Sequence, residues 1–431
     1  MPLFSSLATH RPGRCIGLCK QAVSLLLVVT SVSVFASQPL DSETIFERAE
    51  PAIFQIRVIH RETGKKSSIG SGFIYSKNNR LATNYHVVGT YIEKPDTYTL
   101  RYVGNNGREG ELALVGVDAV HDLALVESTT ALGKPLPIAD LPLKGSSLFA
   151  MGNPLDLGLT LAPGTNGGVL GQTDGSRILF SGSLNPGMSG GPTFDQFGRV
   201  VGINVATARN DISFIVPTRY LANIEPADVA TGELTAKISR QIARYQRSYL
   251  NRISTGKWPS TQLRGMRVPE AVSPTVRCWD ASPKRKPENY YSRFTISCKN
   301  ENDIYLSDRL EVGKILYEFL WLESEELSRP RFYRLYEALN ASQFGGKAGE
   351  DEVGRFNCET RFVDVNGLEF KTTLCARPYK EYPELSDLLF TAAMTGKANQ
   401  GFIFNLDLYG TDFDGALGLI ERFLKEISWQ N

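Results

Sequence analysis

Short strand patterns fill the first half of the chain, and they restrict its fold more than any other feature of the sequence. Between residues 41 and about 217, apolar and polar residues alternate in brief stretches that turn residues separate. Predicted strands cover residues 53–59, 70–75, 81–88, 97–103, 112–117, 123–126, 148–151, 178–181, 200–205 and 213–216. One short helix at 42–48, with Ser42 as its cap, precedes them. Many short strands without a long amphipathic helix between them favour an all-β sandwich or barrel.

The second half of the chain has a different character. Residues 232–254 are polar and place Leu234, Ile238 and Ile242 near one helical face, which predicts a connecting helix that ends near Gly256. Residues 256–260 then have the composition of a linker, and from about residue 277 strand and helix patterns mix. We predict four segments: a signal peptide at 1–36, a β-rich domain at 37–222, a helical linker at 223–270 and an α+β domain of unknown function at 271–431.

The α+β segment contains two stretches with the same order of predicted elements, namely a hairpin, a Leu-Ser-Asp triplet, a hydrophobic strand and an amphipathic helix. In the first stretch these lie at 277–299, 306–308, 316–322 and 331–339. In the second they lie at 356–376, 385–387, 401–408 and 414–427, and Asn366-Gly367 is a strong hairpin turn. This order predicts a tandem duplication, and different strand orders in the two stretches would contradict it.

The first 36 residues have the features of a secretory signal. Arg11, Arg14 and Lys20 precede an apolar stretch at 22–34, and Val34-Phe35-Ala36 predicts cleavage after Ala36. The apolar stretch is shorter than the roughly 20 residues that span a membrane. We therefore expect no transmembrane helix in the mature chain, although an uncleaved anchor is the alternative interpretation. The prediction is a periplasmic or secreted protein of a Gram-negative bacterium.

Four cysteines lie beyond the predicted signal: Cys278, Cys298, Cys358 and Cys375. An even number in an exported chain favours disulfides, and neither pair has the close spacing of a zinc ligand pair. Four cysteines allow three pairings. We prefer Cys278–Cys298 and Cys358–Cys375, because each of these disulfides closes a local loop.

The charge pattern argues against several classes of partner. The chain has 47 basic and 46 acidic residues and a net charge of +1. It contains no basic block and no glycine-rich phosphate loop, so we expect no nucleic-acid or nucleotide partner. The sequence likewise indicates no metal and no organic cofactor.

The hexapeptide Gly187-Met188-Ser189-Gly190-Gly191-Pro192 contains the strongest candidate for chemistry. A serine hydroxyl is a weak nucleophile, so it needs an adjacent base, a group that orients the base, and donors aimed at the developing oxyanion. His86 and Asp122 are the residue types that act as base and orienting acid. The glycines allow the backbone to turn so that the N–H groups of Gly187 and Ser189 point into one hole.

The order of the candidate residues along the chain distinguishes two interpretations of this hexapeptide. The hexapeptide also fits the G-x-S-x-G elbow of α/β-hydrolases, but those enzymes place the histidine after the serine. All four histidines, at 10, 60, 86 and 121, precede Ser189. The order His86, Asp122, Ser189 is instead the order of chymotrypsin-like double barrels. We predict that His60 and His121 are structural or surface residues.

Residues 42 to about 220 resemble a trypsin-like peptidase domain of the HtrA/Deg branch. The resemblance rests on seven ordered motifs: Gly70-Ser71-Gly72-Phe73-Ile74, Thr83-Asn84-Tyr85-His86-Val87-Val88, Asp122-Leu123-Ala124-Leu125, Gly152-Asn153-Pro154, 185–192, Gly202-Ile203-Asn204 and Phe214-Ile215-Val216-Pro217. It implies two six-stranded antiparallel β-barrels with the site at their junction.

The resemblance also implies roles for individual residues. Ser189 would be the nucleophile, His86 the general base and then acid, and Asp122 the group that orients His86. The Gly187 and Ser189 N–H groups would form the oxyanion hole. Substrate contacts would come from Ser183, Asn185, Asn204 and Val205.

The sequence departs from the family pattern in three places. Met188 stands where this branch usually has asparagine, and we expect it to loosen the oxyanion loop. No acid lies at Ser183, the expected floor of the specificity pocket, which favours a small or aliphatic residue before the scissile bond. No recognisable PDZ domain follows Pro217.

Two functions from different classes fit these observations. The first is an exported serine endopeptidase that cleaves protein or peptide substrates. Its C-terminal region would bind substrate, a protein partner or an envelope component, or would only cover the peptidase domain. The second is a catalytically weak or inactive binding or scaffolding protein built on a peptidase fold. The complete His-Asp-Ser set favours the first, because scaffolding needs none of the three residues.

Overall fold

The first strands of the chain close into a barrel. The computed structural model describes residues 38–170, 177–205, 213–227, 233–284, 290–301, 304–306, 310–341 and 348–430; the predicted signal peptide at 1–36 and the residues Ser307 and Asp308 lie outside these ranges. The first-barrel elements are α1 (Ser42–Ala49), β1 (Ile53–His60), β2 (Lys66–Ser76), β3 (Arg80–Thr83), α2 (Tyr85–Glu93), β4 (Tyr98–Gly104), β5 (Glu109–Asp118) and β6 (Leu123–Glu127). All pairings are antiparallel, and β5 closes the barrel by pairing with both β4 and β6.

Two local predictions in this barrel were wrong. Helix α1 is capped by Asp41, whose carboxylate accepts a hydrogen bond from the Thr44 N–H at 2.8 Å, and not by Ser42. The strand predicted at 81–88 ends at Thr83, and His86 lies instead in the first turn of α2. Packing decides the second case, because Tyr85, Val88 and Ile92 are all buried on the core side of α2.

Six further strands form a second closed antiparallel barrel, as predicted. They are β7 (Ser147–Gly152), β8 (Thr160–Leu170), β9 (Arg177–Phe180), β10 (Pro192–Asp195), β11 (Val200–Val205) and β12 (Ser213–Pro217), and their order around the barrel is β10-β11-β12-β9-β8-β7. The short strand β13 (Glu225–Pro226) then returns to the first barrel and pairs with β5. The predicted double-barrel architecture is therefore confirmed.

Beyond the barrels the chain forms a long helix and a mixed region. The elements are α3 (Leu234–Thr255), β14 (Ser260–Leu263), β15 (Met266–Pro269), β16 (Val276–Asp280), β17 (Ser292–Asn300), β18 (Ile304–Tyr305), β19 (Glu311–Val312), β20 (Lys314–Glu323), α4 (Arg329–Ala341), β21 (Asn357–Val365), β22 (Leu368–Pro378), β23 (Ser386–Met394), β24 (Gln400–Thr411), α5 (Phe413–Glu426) and β25 (Ser428–Trp429). Seven of these strands build one antiparallel sheet in the order β16-β17-β20-β24-β23-β22-β21. The helix predicted at 232–254 is confirmed as α3.

Helices cover both faces of the seven-stranded sheet. On one face α3 and α5 bury Leu250, Ile253 and Phe423 against aromatic residues of β20 and β24. On the other face α4 buries Phe332 and Tyr336 against Leu320 and Ile403. Within the segment 256–260, the Trp258 ring lies 4.7 Å from the Phe423 ring and its indole N–H donates to the Ile253 carbonyl oxygen.

Both preferred disulfides are confirmed. Cys278 and Cys298 lie directly opposite each other on β16 and β17, and Cys358 and Cys375 do so on β21 and β22. The predicted tandem duplication is not supported, because the two stretches differ in strand order. In the first, the hairpin strand β17 pairs with β20, which precedes α4; in the second, β23 lies between the hairpin strand β22 and β24, which precedes α5.

The described residues from Pro39 onward form one unit. A single apolar core joins the first barrel to later elements, since it contains Val88 and Ile92 of α2, Ile238 and Ile242 of α3, and Tyr382. No described helix is long and apolar enough to cross a membrane.

Candidate active site

Ser189 lies in the connection between β9 and β10, and glycine is required on both sides of it. Gly187 and Gly190 have φ angles of +96° and +85°, which favour glycine. A Cβ atom at Gly187 would lie 2.3 Å from the Asn153 carbonyl oxygen, and one at Gly190 would lie 2.2 Å from the Ser71 carbonyl oxygen. The backbone of this loop can therefore approach both barrels only because these side chains are absent.

Hydrogen bonds from two barrels fix the serine loop. The Ser71 N–H of β2 donates to the Ser189 carbonyl oxygen at 2.7 Å, and the Ser71 hydroxyl donates to the Gly187 carbonyl oxygen at 2.7 Å. From the second barrel, the Asn204 carbonyl oxygen accepts from the Gly190 N–H at 3.0 Å. Ser189 itself is 4 % exposed, so the loop holds it at the junction of the barrels with little access to bulk water.

The peptide between Pro186 and Gly187 has a defined orientation. The Leu155 N–H donates to the Pro186 carbonyl oxygen at 2.9 Å, and the Met188 N–H donates to the Asn185 carbonyl oxygen at 3.0 Å. Because a trans peptide is planar, its N–H points opposite to its C=O. The Gly187 N–H is thus directed away from Leu155, and its role as an oxyanion donor stays a prediction.

Met188, which we expect from the sequence to loosen this loop, is buried. Its side chain is buried in the interior of the second barrel with Leu148, Phe180, Leu184 and Ile215. Apolar packing of this kind stabilises the conformation of the loop. The long apolar side chain therefore anchors the residue next to Ser189 in the barrel core.

His86 and Asp122 form a closely paired acid and base. The Asp122 Oδ2 atom lies 2.8 Å from His86 Nδ1, and Asp122 Oδ1 accepts from the His86 backbone N–H at 2.9 Å. The Asp122 side chain is 6 % exposed and that of His86 is 29 % exposed. The buried carboxylate therefore fixes both the ring and the helix turn that carries it, while one side of the imidazole stays accessible.

Asp122 is held in turn by its own backbone contacts. It lies in the turn between β5 and β6 with a φ of +59°, and its carbonyl oxygen accepts from the Asn84 side-chain N–H at 2.8 Å. Asp122 therefore immediately precedes β6, and His121 lies in the same turn. His121 pairs with Asp118, at 2.6 Å between Nδ1 and Oδ2, and its ring stacks on Tyr220 at 3.8 Å.

The four predicted substrate-contact residues differ in their surroundings. Ser183 and Asn185 are exposed beside the serine loop, and Val205 is buried at the end of β11. Asn204 is fully buried, and its side-chain amide donates to the Met151 and Met188 carbonyl oxygens. These bonds give Asn204 a supporting position behind the serine loop, while its predicted substrate contact stays a prediction.

Several residues that shape the site were not singled out from the sequence. Asn84 and Ser71 lay within recognised motifs, but their contacts cross between distant elements. Asp156, in the segment that follows Asn153, accepts from the Gln55 side chain at 2.8 Å and pairs with Lys66 and Arg57. The hydrogen bond from Lys66 is the main cause that lowers the pKa of Asp156, so this carboxylate stays charged and ties the segment to the first barrel.

The inner side of the histidine helix faces the C-terminal region. Tyr85, next to His86, is fully buried, and burial raises the pKa of its hydroxyl well above the ordinary value, with a further contribution from the Tyr382 hydroxyl. The two hydroxyls interact electrostatically, although Tyr85 Oη makes no hydrogen bond of ordinary geometry within the described residues. The described residues also contain no cluster of three or more His, Cys, Asp or Glu side chains that could hold a metal ion.

The fold and the site define a class of protein, the double-barrel serine peptidases, and comparisons with known proteins support this. Residues 70–203 match the model of the trypsin-like peptidase domain. The chain is 30 % identical to Protease Do-like 5, chloroplastic, of Arabidopsis thaliana over 228 residues, which are 44 % of this chain and 69 % of that protein. The chain belongs to the HtrA branch of the trypsin-like serine peptidases.

Other relatives match a smaller share of the chain. Protease Do-like 1, chloroplastic, of Arabidopsis thaliana is 30 % identical over 39 % of this chain and 41 % of its own length. A probable periplasmic serine endoprotease DegP-like of Marinomonas sp. (strain MWYL1) is 32 % identical over 38 % of this chain and 36 % of its own length. The chain thus spans less than half the length of these two relatives.

Proposed function

We propose that this protein is an exported serine endopeptidase that hydrolyses peptide bonds of protein substrates. The observation that carries the proposal is the His86–Asp122 pair, in which a buried carboxylate contacts both the ring Nδ1 and the backbone N–H of the histidine. Such a carboxylate holds the imidazole in one tautomer and stabilises the imidazolium that forms when a serine gives up its proton. Membership of a peptidase family supports the same conclusion.

The reaction would proceed through an acyl-enzyme. His86 takes the proton of the Ser189 hydroxyl as Ser189 attacks the scissile carbonyl carbon, and the Gly187 and Ser189 N–H groups stabilise the oxyanion. His86 then gives the proton to the leaving amine, and water releases the acyl group by the reverse sequence. The predicted contacts at Ser183, Asn185, Asn204 and Val205 would set the preference for the residue before the scissile bond.

Export is part of the proposal and has separate support. The predicted signal at 1–36 directs the chain out of the cytoplasm, and disulfides persist in oxidising compartments. The structure contains two disulfides, and a related protein bears a periplasmic name. The region beyond the barrels, proposed as a helical linker at 223–270 and an α+β domain at 271–431, would bind a protein partner or an envelope component.

A fluorophosphonate probe tests the proposed nucleophile, because it reacts with activated serines. We expect the full chain to be labelled at Ser189, and Ser189→Ala to lose all labelling. His86→Ala should reduce the labelling rate by at least about 1,000-fold, since the base is removed.

His60→Ala is the matched control, because the His60 ring packs edge-on against the Tyr98 ring in the first barrel, with ring centroids 5.4 Å apart. It should be labelled like the wild type. An unlabelled wild-type chain that also leaves unfolded casein intact would overturn the proposed function. Unchanged labelling of His86→Ala would show that another group is the base.

A further inference from the structure

The turn that carries Asp122 has a backbone conformation that needs support. Asp122 has a φ of +59°, in the left-handed region, and such residues persist where surrounding contacts fix them. The turn begins at the end of β5, with Val117, Asp118 and Ala119, and continues to His121 and Asp122. The position of the carboxylate therefore depends on what holds this short segment.

A glutamine of the long helix α3 holds the beginning of the turn. The Ala119 N–H donates to Gln241 Oε1 at 3.0 Å, and Gln241 Nε2 donates to the Val117 carbonyl oxygen at 3.4 Å. The Gln241 side chain thus accepts one hydrogen bond and donates another, and both join it to the backbone of the turn. Ala119 and Val117 are each 1 % exposed, so water does not easily replace these bonds.

Other residues beyond the barrels pack against α2, the helix that carries His86. Tyr382 lies in one apolar core with Tyr85 and Val88 of α2, and a Cβ atom at Gly89 of α2 would lie 3.8 Å from the Leu306 carbonyl oxygen. Residues beyond the barrels therefore contact both the turn that carries Asp122 and the helix that carries His86.

We propose that Gln241 is a positioning residue for catalysis, which fixes the Asp122 turn and thereby the orientation of His86. This inference rests on the proposed function, because it concerns the same site. Loss of the two amide bonds would let the turn shift, and a shift of about 1 Å at a catalytic group costs about 100-fold in rate. Substrate binding would change little, because Gln241 contacts the turn that carries Asp122 and not the serine loop.

The test uses Gln241→Met in the full chain, because methionine keeps the length of the side chain and the helix propensity while removing both hydrogen bonds. We expect the limiting rate of Ser189 labelling by a fluorophosphonate to fall about 10- to 100-fold. The probe concentration that gives the half-maximal labelling rate should stay within about twofold of the wild-type value, because Gln241 would affect the chemical step and not probe binding. Arg240→Met changes the exposed neighbour on the same helix and should match the wild type.

A double-mutant cycle separates positioning from general destabilisation. If Gln241 acts through Asp122, Gln241→Met should change the labelling rate by less than about twofold in an Asp122→Asn background. An equal loss in both backgrounds would overturn the inference, and so would wild-type labelling of Gln241→Met. Absence of Ser189 labelling in the wild-type chain would instead reject the proposed function, and the inference with it.

Discussion

Gly187 determines two properties of the site at once. Its positive φ lets the chain turn before Ser189, and its missing side chain lets the peptide pack against Asn153. The neighbouring hydrogen bond from Leu155 to the Pro186 carbonyl oxygen then sets the direction of the Gly187 N–H. Under the proposed function, the conformation of this one residue sets the direction of an oxyanion donor.

We predict that Gly187→Ala lowers the rate of Ser189 labelling by about 100- to 1,000-fold, the usual cost of losing one oxyanion donor. The new Cβ would lie 2.3 Å from the Asn153 carbonyl oxygen, so the peptide must move. Labelling kinetics at equal folded protein concentration measure the effect.

Gly145→Ala is a control for backbone strain alone. Gly145 also has a positive φ, of +90°, but beyond its chain neighbours no heavy atom lies within 4 Å of the place that an alanine Cβ would take. This variant should lose some stability and keep its labelling rate. Equal rates for both variants and the wild type would show that the orientation of the Gly187 peptide does not matter.

At the scale of elements, one face of the seven-stranded sheet carries carboxyl groups on neighbouring strands. Leu316 of β20 lies opposite Asp407 of β24, and Glu318 lies opposite Asn405, so Glu318 and Asp407 are diagonal neighbours on one face. Burial raises the pKa of Asp407 to about 6. The hydrogen bond from Tyr409 lowers this pKa, and the nearby Glu318 carboxylate raises it further. Burial also raises the pKa of Glu318.

This raised pKa predicts a stability that falls as the pH rises. Between about pH 4 and 6 the folded chain holds a proton on Asp407 that the unfolded chain has lost, so the free energy of unfolding decreases through this window and stays lower above it. Asp407→Asn mimics the neutral acid. We expect it to raise the free energy of unfolding by about 1 to 2 kcal/mol at pH 8.

At pH 4 the difference between Asp407→Asn and the wild type should be close to zero, because both side chains are then neutral in the folded state. Urea unfolding at the two pH values measures it. Equal destabilisation by the substitution at both pH values would mean that the hydrogen bond from Tyr409, and not the buried charge, dominates at this position.

The elements also show where sequence patterns are sufficient. Strands such as β11 and β12 were predicted closely, because they are rich in Val, Ile and Phe, which favour strands. Strand β8 was missed because Pro163, Gly164, Gly167 and Gly168 lower its strand propensity, and pairing with β7 and β9 compensates. The Gln241 contact could not be predicted, since 122 residues separate it from Ala119 and no local pattern marks such a bond.

At the scale of the whole molecule, the barrels and the later region share an apolar core. Ile92 of the first barrel, Ile238 of α3 and Leu385 of the later region belong to it. All four tryptophans, at 258, 279, 321 and 429, lie beyond the barrels. Tryptophan fluorescence therefore reports on the C-terminal region alone, whereas Ser189 labelling reports on the barrels.

We predict that the two signals are lost together in urea, because exposure of the shared core destabilises both regions at once. Equilibrium unfolding followed by tryptophan fluorescence, with fluorophosphonate labelling of the same samples, measures this. Ser189→Ala serves as the blank for labelling. Labelling that survives beyond the fluorescence transition would show that the barrels fold independently.

The two disulfides have a consequence for how this sheet meets other chains. Strands β16 and β21 are its two outermost strands, and a disulfide ties each of them to its inner neighbour. An outer strand that peels away would expose the unpaired backbone of the next strand, which is how sheets join edge to edge and aggregate. Each disulfide therefore opposes separation of the outer strand, so that β17 and β22 keep their backbone partners.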